Sequence, residues 1–356
     1  MELKFTRTVG HSAQKEFIKK SLESGIFPQN ILVSGIPGIG QVPFLLDIGE
    51  LLLCESTDIR PCRKCRSCLE WQNRSRDNVH FLIPLKEAEQ KQKDKLAVAI
   101  AKQVSDLLQE PYGFNPSPRQ HISIEQARVL TTKEKYAEST RITRIIFILG
   151  IECMMEPAAN ALLKMLEEPP PKTYFLISCE NREKILSTIL SRCVQLRLPP
   201  LSQDDMTLFV EAYAQQHEIP PQKQLIPFCA GSPGTYIDYE LHDGVKLFQL
   251  AEDFLISSVT QNFYAFSEFI NAHSELSNME QCLKIMELVL EMIRVSLQVK
   301  NGLAEYIEHE QILKFTEIIG NVEIDTYIKF LESSMKAVSQ YSNPRIALLG
   351  NFLQWK

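Results

Sequence analysis

The chain lacks any apolar stretch long enough to cross a membrane. Residues 51–53 and 145–149 are among its longest apolar runs, far short of the roughly 20 residues that a spanning helix needs. Its start, MELKFTRTVG, carries no apolar segment behind a basic tip. No secretory signal is therefore expected, and the chain is read as cytoplasmic. The seven histidines are dispersed, with no metal-like pair, and no G-x-S-x-G or similar nucleophile signature occurs. No motif repeats at a fixed period. Excess positive charge is missing too: a formal charge of -6 argues against a protein whose main work is coating nucleic acid, though a local basic face is compatible with it. With 44% apolar and 23% charged residues, the composition is that of an ordinary globular protein. At 356 residues it is too long for one core and suits two or three domains.

The first two hundred residues alternate strand-like and helix-like runs. This rhythm predicts an α/β fold, a parallel sheet with helices on both faces. Strands are expected at 30–34, 79–83, 145–149, 174–178 and 193–197. Between them lie amphipathic patterns such as 12–24 and 158–168. In the second, Ala159, Leu162, Leu163 and Leu166 share a face, and the prolines at 169–171 stop the helix. Residues 85–120 break the rhythm with a solvated charge run, KEAEQKQKDK, expected as a surface helix, and a proline-rich loop behind it, and read as an insertion with no chemistry of its own. Pro199 and Pro200 mark a boundary. Beyond it the pattern is helical, and from about residue 244 it is that of a bundle.

After the first of the central strands comes Gly35-Ile36-Pro37-Gly38-Ile39-Gly40-Gln41-Val42. Two glycines separated by four residues, between a strand and a helix, are the frame of a phosphate-binding P-loop, whose backbone N–H groups must curl around phosphate oxygens. The lysine and hydroxyl residue that complete such a loop are replaced by Gln41 and Val42. On the loop alone, a degenerate nucleotide site built on Gly35, Gly38 and Gly40 and a plain glycine-rich turn both stay open.

Nine cysteines inside a reducing compartment do not read as a disulfide framework. Cys54, Cys62, Cys65 and Cys68 form C-x₇-C-x₂-C-x₂-C, in which short hooks let thiolates face one ion. Zinc suits four thiolates in a closed structural site. Iron–sulfur spacing is a poorer fit because the x₃-C-P ending is absent, and independent thiols are the bland alternative. Arg60, Arg63, Lys64, Arg66, Arg74 and Arg76 surround the cluster. They balance the formal -2 of a zinc tetrathiolate, or they form a DNA or partner surface; charge balance is the reading preferred.

The segment RIIFILGIECMMEPAANALLKMLEEPP, from Arg144 to Pro170, resembles the AAA+ subunits of the bacterial DNA polymerase III clamp loader, whose signature AAANALLKTLEEPP it closely follows. Ser191-Arg192-Cys193, the AGSPG at 230–234 and Asn343-Pro344-Arg345 resemble that family's Ser-Arg-Cys motif, lid signature and collar terminus. The resemblance implies a P-loop AAA+ domain at 1–198 carrying the zinc module (54–68) and the insertion, a helical lid at 199–243, and a helical collar at 244–356. Aligned on it, the family's metal-holding and water-polarising acids fall on Leu149 and Gly150, and its lid arginine falls on Gly234. This pattern resembles the delta-prime type, which does not hydrolyse ATP, so no intrinsic ATPase is expected. Polymerase activity would belong to the whole holoenzyme.

Arg192 by itself reads as an arginine at a helix end, favoured by exposed carbonyls. The resemblance makes it an arginine finger acting in trans on a neighbour's ATP. The implied partners are gamma/tau and delta subunits, with the sliding clamp and primer-template DNA reached through the complex. A four-cysteine zinc module at this place is likewise implied. The rival readings are an active gamma/tau-type ATPase and a stand-alone zinc-containing nucleic-acid-binding protein.

Overall fold

A computed structural model describes residues 1–73, 78–90, 93–117, 119–135, 142–259, 262–302, 323–340 and 343–355, without the side chains of 93–94 and 131–135. The strands are β1 (Glu2–Leu3), β2 (Asn30–Ser34), β3 (Ile59–Arg60), β4 (Val79–Leu82), β5 (Leu85–Lys86), β6 (Gln120–His121), β7 (Arg144–Ile148), β8 (Thr173–Cys179) and β9 (Val194–Arg197). Five of them form one sheet in the order β4-β7-β8-β2-β9, with every neighbouring pair parallel. The helices used below are α1 (Ser12–Glu23), α2 (Gln41–Leu53), α3 (Arg66–Gln72), α4 (Glu87–Gln90), α5 (Lys93–Gln109), α6 (Ile124–Lys135), α7 (Glu156–Glu167), α8 (Ser187–Leu190), α9 (Gln203–His217) and α10 (Pro233–Leu241).

The central strands β2 and β7 are buried along their whole length, as expected of a parallel sheet covered on both sides. Strand alternation sorts the two faces. Leu32, Ile146, Ile148, Phe175 and Ile177 pack with Ala158, Ala159, Leu162 and Leu166 of α7 and with Ala127 and Leu130 of α6. Phe147 points the other way, so close to α2 that a Cβ on Gly49 would lie 2.6 Å from its ring. The expected α/β sheet with helices on both faces is therefore present. Proline within its first turn begins α7, and Pro169 and Pro170 follow its end.

The insertion is helical where its charge run predicts a surface helix. It is pinched at its neck by β5 and β6, antiparallel with Leu85 opposite His121 and Lys86 opposite Gln120. Between them run α4, α5 and a turn of 3-10 helix at Pro111–Gly113 that carries the buried Tyr112.

The chain forms two compact units, Met1–Pro221 with Gly231–Ile237, and Gln222–Ala230 with Asp238–Lys356. The first holds the sheet. The second is helical, with an aromatic core in which Phe266 stacks on Phe352 at 4.4 Å and Phe330 on Trp355 at 5.1 Å. Its last helix, Pro344–Trp355, starts as a well-capped helix should. Asn343 Oδ1 accepts from the Arg345 and Ile346 N–H groups, and proline takes the first position, where no N–H is needed. Among the described residues no helix is long and apolar enough to cross a membrane.

Candidate functional site

The loop 35–40 lies at the C-terminal end of β2, where open α/β sheets place their ligands. Gly38 and Gly40 have φ of +69° and +114°, conformations that side-chain-bearing residues avoid. The chain itself then closes the loop. Each carbonyl from residue 35 to 40 accepts a hydrogen bond from within the chain. Gln41 Nε2 donates to the Gly35 and Ile36 carbonyls at 3.0 Å each. Ser232 Oγ donates to Pro37 O at 2.8 Å, and His11 Nε2 lies 3.2 Å from Ile39 O. The Gly234 N–H donates to Gly38 O at 2.9 Å, and the Phe44 N–H to Gly40 O at 3.0 Å. Where a P-loop lysine would reach outward to phosphate, Gln41 is turned inward and is 5% exposed.

The contact between Gly38 and Gly234 is backbone on backbone. A Cβ on Gly234 would sit 2.6 Å from the Gly38 Cα and 2.6 Å from the Tyr112 carbonyl oxygen. Tyr112 is fixed by accepting the Val9 N–H at 3.0 Å and by an edge-on contact with Phe209. The space enclosed by Gly38, Gly40, Gln41, Tyr112, Phe114 and Pro116 measures about 10 Å³. That admits one water at most and no phosphate chain. Glu180 lines the same space, and its N–H donates to Glu152 Oε1 at 2.7 Å. Burial, reinforced by the Glu152 carboxylate, pushes the Glu180 carboxyl up to about 7.

Arg192 stands outside this closed region, just beyond α8. Its Nη1 donates to Thr188 O at 2.6 Å and to Ser191 Oγ at 3.3 Å, and its Nη2 pairs with the Glu167 carboxylate. These are the contacts of a helix-end arginine, made at the surface, with the Arg192 side chain 30% and Glu167 47% exposed. The backbone beneath is tied more firmly. The buried Asn30 amide donates to Leu166 O at 2.8 Å and to Arg192 O at 3.0 Å. One side chain on the P-loop strand thus joins the end of α7 to the Arg192 turn.

The four cysteines Cys54, Cys62, Cys65 and Cys68 come together, with all four sulfurs within 4.8 Å of one another, and could hold a metal ion. Four thiolates about 2.3 Å from one tetrahedral ion would be about 3.8 Å apart. The Cys62–Cys68 separation of 4.0 Å is close to that. The Cys62 N–H points at Cys54 Sγ and the Cys65 N–H at Cys62 Sγ, each at 3.3 Å. Backbone N–H groups of Lys64 and Cys65 draw the Cys62 thiol down to about 6, whereas burial pushes Cys54 and Cys68 up. Of the surrounding cations, Arg66 pairs with Glu70 and Arg60 donates to Ser56 O, while Arg74 and Arg76 lie outside the described residues.

The sequence model of the family described as "DNA polymerase III, delta subunit" matches residues 10–202, more than half of the chain. The chain belongs to that family. Individual relatives agree with the DNA polymerase III delta family assignment. The chain is 27% identical to the DNA polymerase III subunit delta' of Escherichia coli K12 over 62% of its own length and 57% of the relative's. It is 25% identical to the delta' subunit of Haemophilus influenzae, over 49% of this chain and 44% of that one. A DNA polymerase III subunit gamma from Buchnera aphidicola subsp. Baizongia pistaciae is 22% identical over 95% of this chain and 84% of the relative. The chain spans about half the length of the first two relatives. These relatives are DNA polymerase III subunits of the delta' and gamma types.

Three residues at this DNA polymerase III subunit's site are not visible in its sequence. Tyr112 sits inside the insertion, and its only signal there is an aromatic residue between Pro111 and Gly113. Glu180, just past β8, lines the space at the loop, and Glu152, beyond β7, accepts its N–H.

Proposed function

We propose that this chain is a non-hydrolysing, delta-prime-like subunit of the DNA polymerase III clamp loader. It presents Arg192 to ATP held by a neighbouring gamma/tau-type subunit and keeps its own glycine loop closed. Delta and gamma/tau subunits are its partners, and the sliding clamp and primed DNA are reached through the assembly. The observation that carries this reading is the sealed loop. Gln41 satisfies carbonyls inside it, Gly234 stacks on Gly38, and about 10 Å³ remains where phosphates would lie. Phosphoryl transfer depends on positioning and electrostatics, and Gln41, Val42, Leu149, Gly150 and Gly234 supply none of the charges or ligands it uses. Arginine suits the outward role because its charge persists and its planar fork pairs two phosphate oxygens.

The long match to a gamma subunit favours the rival, a gamma/tau-type ATPase. Equilibrium dialysis and steady-state hydrolysis on the isolated chain separate the two. We expect neither nucleotide retention nor turnover above background. Turnover that follows the chain through purification and changes in Gln41→Ala would establish the rival.

The same proposal gives the cysteine cage one structural zinc, held by Cys54, Cys62, Cys65 and Cys68, which ties the end of α2 to the start of α3. A closed four-thiolate site leaves no position for water, so the ion cross-links the fold and does no chemistry. Elemental analysis of protein prepared without chelators should find about one zinc per chain, and stripping it should cost on the order of 10 kcal/mol of local folding free energy. Iron alone, or an intact fold without metal, would overturn the assignment.

A further inference from the structure

The Arg192 guanidinium donates through Nη1 to Thr188 O and Ser191 Oγ and pairs through Nη2 with Glu167. With both Nη1 hydrogens taken, a phosphate outside the chain cannot pair with the Nη1/Nη2 fork while this arrangement lasts. The parts differ in how firmly they are held. Backbone at Leu166 and Arg192 is fixed through the buried Asn30 amide, whereas the Glu167–Arg192 pair is half in solvent. The turn is therefore rigid and the guanidinium exchangeable. Glu167 offers Arg192 one carboxylate oxygen, and a phosphate offers two with more charge.

We infer that Glu167 is a positioning residue for Arg192. Its carboxylate holds the guanidinium retracted, and an incoming phosphate group takes the place of that carboxylate. The role of the phosphate rests on the reading of Arg192 as a finger; the retraction by Glu167 does not. Before a neighbour's nucleotide arrives, the counter-charge keeps a cation from binding other anions. Once the nucleotide is there, breaking the pair opposes its binding and so weakens the affinity of the site served. An exposed ion pair of this kind limits the effect to ~2- to 5-fold.

The test uses Glu167→Ala, Glu167→Gln, Arg192→Ala and the double variant Glu167→Ala/Arg192→Ala. Two readouts keep the inference apart from the finger reading. In the isolated full chain, phenylglyoxal modification of Arg192, mapped by mass spectrometry, should be ~2- to 5-fold faster in Glu167→Ala, with Glu167→Gln in between. An unchanged rate overturns the inference whatever Arg192 does in the complex. In the reconstituted loader, Glu167→Ala should lower the ATP concentration for half-maximal hydrolysis by the same ~2- to 5-fold and leave kcat unchanged. The difference should shrink as salt rises and vanish in the Arg192→Ala background. A change that survives in that background, or a raised half-saturation, assigns Glu167 to the end of α7 instead and overturns the inference. Arg192→Ala with unaltered hydrolysis would defeat the finger reading, and the modification rate would still decide whether Glu167 holds the arginine.

Discussion

The glycine loop and the Arg192 turn are neighbours on one sheet, at opposite ends of β2, and they are held in opposite ways. The loop is secured through backbone. Its carbonyls are occupied, two glycines meet face to face, and Tyr112 fills the remaining room. The Arg192 turn has a firm backbone, but its chemistry hangs on surface contacts of one side chain. Closure at the loop is therefore a property of the fold, and a ligand would have to unpack protein to enter. Engagement at the arginine needs only an exchange of hydrogen-bond acceptors. A subunit that keeps the AAA+ scaffold without using its own site would be built in this way.

The largest effect should come from the exposed side of that contrast. Arg192→Ala should cost ~10³-fold in hydrolysis at the site it serves. The loss over the whole complex should be smaller, because other sites keep their own arginines. Arg192→Lys should be nearly as damaging, since a lysine offers a point charge in place of a fork. Assembly should be unaffected, and the isolated subunit should lose under ~1 kcal/mol of stability. Reconstituted clamp- and DNA-stimulated hydrolysis, with assembly followed in parallel, checks this, and normal hydrolysis in an intact complex would leave Arg192 a helix-end arginine. Gly38→Ala should reverse the pattern, with hydrolysis by the complex kept and stability lost. The new Cβ would meet the Gly234 Cα and Ser232 Oγ, each at 2.8 Å, on a residue with φ of +69°. A loss of about 2–3 kcal/mol is expected from overpacking and left-handed strain, readable in chemical denaturation.

A smaller effect probes the acidic mouth of the closed loop. Glu180 is raised to about 7 by burial and by Glu152, from an ordinary value of 4.5. A carboxyl whose folded pKa is raised binds protons more tightly when folded. Its contribution is fully present below pH 4.5 and is lost as pH climbs through 7. Glu180→Gln should therefore flatten the decline in stability across that window. At pH 8 it should leave the variant about 1–2 kcal/mol more stable than the wild type. Melting curves taken at intervals between pH 4.5 and 8 measure it, and parallel profiles for the two proteins would disprove it.

Much of this could be read from the sequence because it rests on local patterns. The five sheet strands announce themselves as short apolar runs, and α7 as an amphipathic stretch stopped by prolines. The cysteine cage follows from spacing, since x₂ hooks can fold only in a few ways. The contacts that close the loop come from residues far apart in the chain. Gly234 lies almost two hundred positions from Gly38, and Tyr112 more than seventy. Their encounter depends on tertiary packing, which no window of sequence contains. The Glu167–Arg192 pair escaped for the same reason: each residue is ordinary at its helix end, and the pair exists only because β2 and its Asn30 bring the two ends together.

The paired glycines also carry a historical consequence. Suppose selection favoured a working nucleotide site in this chain. A lysine at position 41 would first have to give up the carbonyls that Gln41 now satisfies. An arginine at position 234 would drive its Cβ into Gly38 and the Tyr112 carbonyl. Neither change helps without the other, and each alone disrupts packing that the fold now depends on. Reopening the loop would take several simultaneous substitutions, so the face-to-face glycines work as a ratchet against it.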